Sequence, residues 1–165
     1  MSATQSSGRV LVAGIGNVFL GDDGFGVEVV RRLGEQPLPD HVEVGDFGVR
    51  SFDLAYALME PWELVVLVDA LPQGRPPGTV FVLEPDIEAL EGPAVVEGHT
   101  MNPVEVFRLV HQMEGTPPRV LLVGCEPESL GGDEGRMGLS EPVAAAIDPA
   151  LDAVRSLLVG VAAGA

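Results

Sequence analysis

The sequence contains no lysine: all nine basic residues are arginine, against 25 acidic residues, which gives a formal net charge of −16. The missing lysine excludes a P-loop phosphate site and a Schiff-base nucleophile, because both chemistries need a lysine amine. The acidic excess argues against nucleic acid or anionic membranes as partners, since like charges repel. A basic or cationic partner, or simple solubility, is compatible with this charge.

Cysteine and long apolar segments are also scarce. The single cysteine, Cys125, excludes an internal disulfide, predicts a cytoplasmic location and is expected to be a small buried side chain. No apolar run approaches the roughly 20 residues that span a bilayer, so no membrane insertion is expected. The opening residues, MSATQSSGRV, lack the basic and apolar regions of a signal peptide. Residues 1–8 are predicted to be a disordered lead, and residues 9–165 a single domain.

Strand-like and helix-like patterns alternate along the rest of the chain, which is 46% hydrophobic. The predicted strands cover residues 10–15, 42–46, 64–69, 79–84 and 120–124. The predicted helices cover residues 24–33, 51–59, 103–112 and 142 to about 159, the last with a kink or restart at Asp148-Pro149. Three strands are nearly continuous apolar runs, typical of strands buried on both faces. We therefore predict a three-layer α/β domain, with a mostly parallel twisted sheet of about five strands and helices on both faces.

The most informative segment is GIGNVFLGDDGFG, in which the first predicted strand leads through a glycine-rich turn to two adjacent acids. Gly14 and Gly16 fill the first two positions of the dinucleotide-binding pattern G-x-G-x-x-G, but the third position is Phe19. Asp22 and Asp23 would also lie where a pyrophosphate needs neutral backbone donors. The segment is therefore suited to a cation or a polar substrate, and no nucleotide cofactor is expected.

Polar residues from three separate segments follow the predicted strands. Asp22 and Asp23 follow the first strand, Asp69 ends the third strand, and His99 lies just before the third helix. Because the carboxyl ends of parallel strands share one edge of the sheet, where α/β proteins bind ligands, these residues could converge there. Two carboxylates and an imidazole form a reasonable ligand set for a divalent metal ion. The sequence therefore suggests a site of Asp23, Asp69 and His99.

Each of these residues also has a purely structural interpretation. Asp23 could cap the first helix or complement its dipole. Asp69 could cap a turn, and His99 could bond to the backbone of its loop. Of the two other histidines, His41 is interpreted as an exposed residue, and His111 as a surface residue or a satisfied core residue.

Four segments carry a family resemblance, in the order GIGNVFLGDDGFG, LVVLVDALPQG, EGHTMNPVEVF and RVLLVGCEPESL. On these segments the chain resembles the hydrogenase maturation proteases, the endopeptidases that process the large subunit of nickel–iron hydrogenases. The first segment is the most specific, and the others add weight through their order and spacing. The family uses two acids and a histidine to contact nickel, and motif position places these on Asp23, Asp69 and His99.

The resemblance implies that the nickel belongs to the substrate, a large-subunit precursor already loaded with its metal. An aspartyl-type endopeptidase would then engage the nickel through Asp23, Asp69 and His99 and remove a short carboxyl-terminal extension. A nickel-polarised carbonyl or water, with a carboxylate as base, is one route to hydrolysis. No serine or cysteine nucleophile pattern is present. Asp22 is not expected to be equivalent to Asp23, and is predicted to act as a helix cap or dipole contact.

Two other functions remain open at this point. One is a nucleotide- or cofactor-binding module with Asp46 as a ribose ligand. Phe19 argues against it, and so does the spacing from Gly16 to Asp46, which exceeds the roughly 20 residues usual after the glycine motif. The other is a noncatalytic nickel chaperone that uses the same three ligands.

Overall fold

The structure is a computed structural model of the chain, and it describes residues 8–85, 103–116, 118–130 and 138–164. Within these ranges the strands are β1 (Val10–Ile15), β2 (Val42–Gly48), β3 (Leu64–Ala70), β4 (Val80–Leu83) and β5 (Val120–Cys125). The helices are α1 (Phe25–Gly34), α2 (Ser51–Ala57), α3 (Pro103–Gln112), α4 (Glu141–Ala145) and α5 (Ile147–Gly164). A single 3-10 turn (Gly21–Gly24) precedes α1. None of the helices described is long and apolar enough to cross a membrane.

The five strands form one sheet in the order β2-β1-β3-β5-β4. All neighbouring strands are parallel except β4, which runs antiparallel to β5 at the edge. The chain passes from β1 to β2 on one side and then crosses to β3 on the other side of β1. This reversal places a crevice beyond the carboxyl ends of β1 and β3, where open α/β sheets bind ligands.

Helices cover both faces of the sheet, which confirms the predicted three-layer fold. One face packs against α1, α4 and α5 in a core that includes Val12, Val66 and Val123. The other face packs against α2 and α3 in a core that includes Leu67 and Leu122. Because β1, β3 and β5 are buried along their whole length, their side chains are apolar at successive positions rather than at alternate ones, with Asp69 in β3 as the exception.

The predicted elements differ from the structure mainly at the ends of helices. The carboxyl-terminal helix does restart, but the break falls at Ala146 rather than at Asp148-Pro149. Pro149 therefore lies in the first turn of α5, where its missing N–H costs no helical hydrogen bond. The predicted disordered lead falls almost entirely on residues outside the described ranges, so it stays a prediction.

Two glycines allow α1 to lie against the sheet backbone. A Cβ atom on Gly14 would lie 2.4 Å from the carbonyl oxygen of Gly26 in α1. A Cβ atom on Gly26 would in turn lie 2.0 Å from the carbonyl oxygen of Val68 and 2.6 Å from that of Ile15. The first glycine of the dinucleotide-like pattern therefore serves helix–sheet packing in this structure.

We expect Gly26→Ala to destabilise the protein by about 1–3 kcal/mol, because its methyl group would overlap backbone atoms of two strands. Gly34→Ala in the same helix is the matched control. A Cβ atom there meets nothing within 4 Å, so this variant should be about 0.4–1 kcal/mol more stable than the wild type. Urea unfolding of both variants measures the difference, and equal stability of the two would contradict the close-packing account.

Candidate active site

The loop and turn between β1 and α1 bring two acids to the carboxyl edge of the sheet. Gly16 has a φ of +134°, and a Cβ atom there would lie 1.8 Å from the carbonyl oxygen of Asp23. The Gly16 N–H also donates to the carbonyl oxygen of Gly48 at the end of β2, at 2.8 Å. Glycine is therefore required at this position both by the backbone conformation and by the close approach of the turn.

Asp23 lies half-buried in the 3-10 turn, and its carboxylate is held by the loop before it. Its Oδ2 atom accepts a hydrogen bond from the backbone N–H of Asn17 at 2.7 Å. The N-cap residue of α1 is Gly24, which has no side chain that could cap the helix. Burial raises the pKa of the Asp23 carboxyl, and the Asn17 N–H offsets part of this increase.

Asp69 lies near the end of β3, is 5% exposed and pairs in register with Gly124 of β5. Burial raises the pKa of the Asp69 carboxyl well above its usual range, and the negative charge of Asp23 raises it further. The backbone N–H of Ala70 offsets part of this effect. The structure therefore brings the two predicted carboxylates together, and a proton or a cation between them would relieve their repulsion.

The third predicted ligand, His99, lies outside the described residues, so its place in the site stays a prediction. In the part of the chain that the structure describes, no three His, Cys, Asp or Glu residues are grouped so that they could hold a metal ion. The described part of the site is thus the pair of Asp23 and Asp69.

Asp22 has a role that the sequence analysis missed. It is 1% exposed, and its carboxylate accepts hydrogen bonds from the backbone N–H groups of Glu128, Ser129 and Ser140, at 2.8, 3.0 and 2.7 Å. The Ser140 hydroxyl donates a fourth bond at 2.8 Å. Burial alone would raise the pKa of Asp22, but these bonds outweigh it and the pKa is lowered. The predicted helix-cap role is therefore wrong, since Asp22 binds segments more than 100 positions away.

Glu126, just after β5, is a second buried carboxylate that the sequence analysis did not single out. It is 6% exposed, and its Oε1 atom accepts hydrogen bonds from the backbone N–H groups of Gln73 and Arg75, at 2.7 and 3.1 Å. Its own N–H donates to Thr79, and its carbonyl oxygen accepts from Gly78. Glu126 therefore ties the end of β5 to the loop that follows β3. No local periodicity signals such a contact, because its partners are about 50 positions away.

Two other residues considered from the sequence, Cys125 and Asp46, are not part of the acid pair. Cys125 is fully buried, as expected, and burial together with the charges of Asp22 and Glu126 raises the pKa of its thiol to about 12. Such a thiol stays protonated at neutral pH and does not act as a nucleophile. The Oδ1 atom of Asp46 accepts a hydrogen bond from the N–H of Gly48, two positions along the same strand end.

Comparison with known proteins gives a consistent family. The sequence model of the HycI hydrogenase maturation protease family matches residues 27–157, a range that includes Asp69 and begins just after Asp23. The chain is 32% identical over 155 residues to the Hydrogenase 2 maturation protease of Escherichia coli K12, which covers 91% of this chain and 90% of that protein. It is 36% identical over 155 residues to the hydrogenase expression/formation protein HupD of Rhodobacter capsulatus, which covers 90% of this chain and 71% of the relative.

Solved structures agree with the sequence comparison. The hydrogenase maturating endopeptidase HybD from E. coli matches with a TM-score of 0.73 and 30% identity, over 92% of this chain and 93% of that chain. A hydrogenase 2 maturation peptidase from a Thaumarchaeota archaeon matches with a TM-score of 0.64 and 35% identity, over 91% of this chain and 97% of that chain.

The burial of Asp69, together with the negative charge of Asp23, predicts a pH-dependent stability. The pKa of Asp69 is raised by folding, so its stabilising contribution is complete below the unfolded value near 3.8 and is lost as pH rises through the folded value. Asp69→Asn cannot ionise, so its Tm should exceed that of the wild type by a margin that grows from pH 4 to pH 7. Each kcal/mol of gain corresponds to about 2–4 °C.

Thermal unfolding at a series of pH values measures this margin, with the exposed Asp40→Asn as the matched control. The control variant should show no comparable trend. A margin that shrinks toward pH 7 would mean that Asp69 is better stabilised in its charged form than its burial allows.

Proposed function

The chain belongs to the hydrogenase maturation protease family, and from this premise we propose that it removes a carboxyl-terminal extension from a nickel-loaded precursor of a nickel–iron hydrogenase large subunit. Membership of this family makes the chain a peptidase. The proposal adds which substrate it cleaves and which residues form its site. The observation that carries the proposal is the pair of carboxylates, Asp23 and Asp69, whose pKa values are both raised at the edge of the sheet. Acids perturbed in this way are typical of functional sites.

In this proposal the nickel is part of the substrate and is contacted by Asp23, Asp69 and His99. Oxygen and imidazole ligands suit divalent nickel. Burial and mutual repulsion make the two charged acids unfavourable neighbours, and a cation carried by the substrate would remove that cost. Binding of the precursor would therefore be coupled to the presence of its metal.

The same acids supply the chemistry of peptide hydrolysis. A carboxylate whose pKa is raised can accept a proton from the attacking water and return it to the leaving amine. The buried Cys125 thiol, with its pKa of about 12, supports this aspartyl-type mechanism over a cysteine nucleophile. We place the protein in the cytoplasm, because a single cysteine fits a reducing compartment.

The proposed substrate recognition predicts that cleavage depends on nickel in the precursor. Purified protein should cut the nickel-loaded precursor once and leave the nickel-free precursor intact, because its own acids present no strong electrophile. Mass spectrometry of both precursors after incubation measures this. Treating the protein alone with a chelator, which is then removed, should leave activity unchanged. Efficient cleavage of the nickel-free precursor would overturn nickel recognition, and metal-dependent binding without cleavage would favour the chaperone alternative.

Asp23→Asn should lower cleavage of the nickel-loaded precursor by about 10²-fold or more, since the amide neither accepts a proton nor neutralises a cation. The amide oxygen can still accept the Asn17 N–H, so the fold and the loop should be preserved. Initial rates measured beside circular dichroism separate the two effects, with Asp40→Asn as the control. Activity within a few fold of the wild type would remove Asp23 from the site.

A further inference from the structure

The segment Glu126-Pro127-Glu128-Ser129-Leu130 follows β5 and supplies no proposed ligand, yet its backbone is bonded on both sides. We refer to residues 126–130 as the β5 shelf. One side of the shelf meets the turn that carries Asp23, and the other side meets the loop that follows Asp69. It therefore contacts both segments that bear the two acids.

On the first side, Asp22 pairs with Ser129 in both directions. The Asp22 N–H donates to the Ser129 carbonyl oxygen at 2.9 Å, and the Asp22 carboxylate accepts from the Ser129 N–H at 3.0 Å. The carboxylate also accepts from the N–H of Glu128 and from the N–H and hydroxyl of Ser140. Since Asp22 directly precedes Asp23, these bonds fix the turn from which the Asp23 side chain projects.

On the second side, Glu126 closes the loop after β3. Its carboxylate accepts the N–H groups of Gln73 and Arg75, and the N–H of Leu71 donates to the carbonyl oxygen of Cys125 at 2.9 Å. These contacts lie a few positions beyond Asp69. They hold the end of β3 against the same shelf that Asp22 holds from the other side.

We propose that Asp22 and Glu126 are positioning residues, which clamp the β5 shelf between the two acid-bearing segments and so set the separation of the Asp23 and Asp69 carboxylates. This inference rests on the proposed function for its catalytic consequence. The physical reason is that two acids of like charge push apart, and the bonds from the shelf to the Asp23 turn and to the loop after β3 oppose that movement. Buried carboxylates that accept several N–H groups provide strong, directional bonds for this purpose.

The test compares two substitutions at Glu126 that differ in one respect. Glu126→Gln keeps an oxygen that can accept both N–H groups and should retain most of the kcat for the nickel-loaded precursor. Glu126→Ala loses both bonds and should lower kcat about tenfold or more, while KM changes by less than about threefold, because misplacement of reacting groups acts on the chemical step. Asp22→Asn should resemble Glu126→Ala, since its new NH₂ group would face backbone donors.

Val154→Ala is the matched control, because it removes buried volume from the α5 core without touching the shelf. Rates are compared at a temperature where all variants are folded. The control should lose stability but keep the wild-type kcat. Loss of kcat in the control equal to that in Glu126→Ala would assign the effect to stability and would overturn the positioning role.

A second measurement is independent of the substrate. In Glu126→Ala, amide hydrogen exchange should rise about tenfold at Gln73 and Arg75 and also at Asn17, whose N–H is bonded to Asp23 on the far side of the shelf. In Val154→Ala these amides should exchange as in the wild type. If amide exchange rises at Gln73 and Arg75 but not at Asn17, the clamp does not reach Asp23 and the proposal fails. If the wild type does not cleave the nickel-loaded precursor, the proposed function fails, and the exchange at Asn17 still decides the clamp.

Discussion

The close contact between α1 and the sheet backbone is the constraint on which the site depends. Gly14 and Gly26 have no side chains, and this lets the first turn of the helix lie directly over β1 and β3. Any larger residue would lift the helix away from the strands and carry the preceding turn with it. Because Asp23 lies in that turn and Asp69 lies in β3, this packing brings the two acid-bearing segments together.

The same geometry makes the site lower the stability of the folded protein. Asp69 is buried beside Asp23, so its charged form is disfavoured both by lost hydration and by repulsion. Nothing in the packing of the core requires an acid at this position, since the neighbouring residues of β3 are apolar. A residue that destabilises the fold at an edge where α/β proteins bind ligands is best understood as functional.

The sequence predicted the parts of the molecule that local patterns determine. Continuous apolar runs identified β1, β3 and β5, and the ends of those strands pointed to Asp23 and Asp69. It did not predict Asp22 and Glu126 as buried acceptors, because their partners lie between 51 and 118 positions away and leave no periodic trace. The break at Ala146 was misplaced for a related reason: a proline in the first turn of a helix looks in sequence like one that ends a helix.

Under the proposed function, an acid pair without a cation of its own prevents cleavage of a precursor that carries no nickel. Two acids that repel each other, one buried and one half-buried, hold protons more tightly than ordinary carboxyls do, and a protonated acid is a weaker ligand and a weaker base. A precursor that brings a divalent cation favours the charged forms and thereby creates both the contact and the base. Selectivity then comes from the difference between loaded and empty substrates rather than from the sequence around the scissile bond. The two acids must also stay close enough to share that cation, although their negative charges repel each other. The clamp around the β5 shelf meets this requirement.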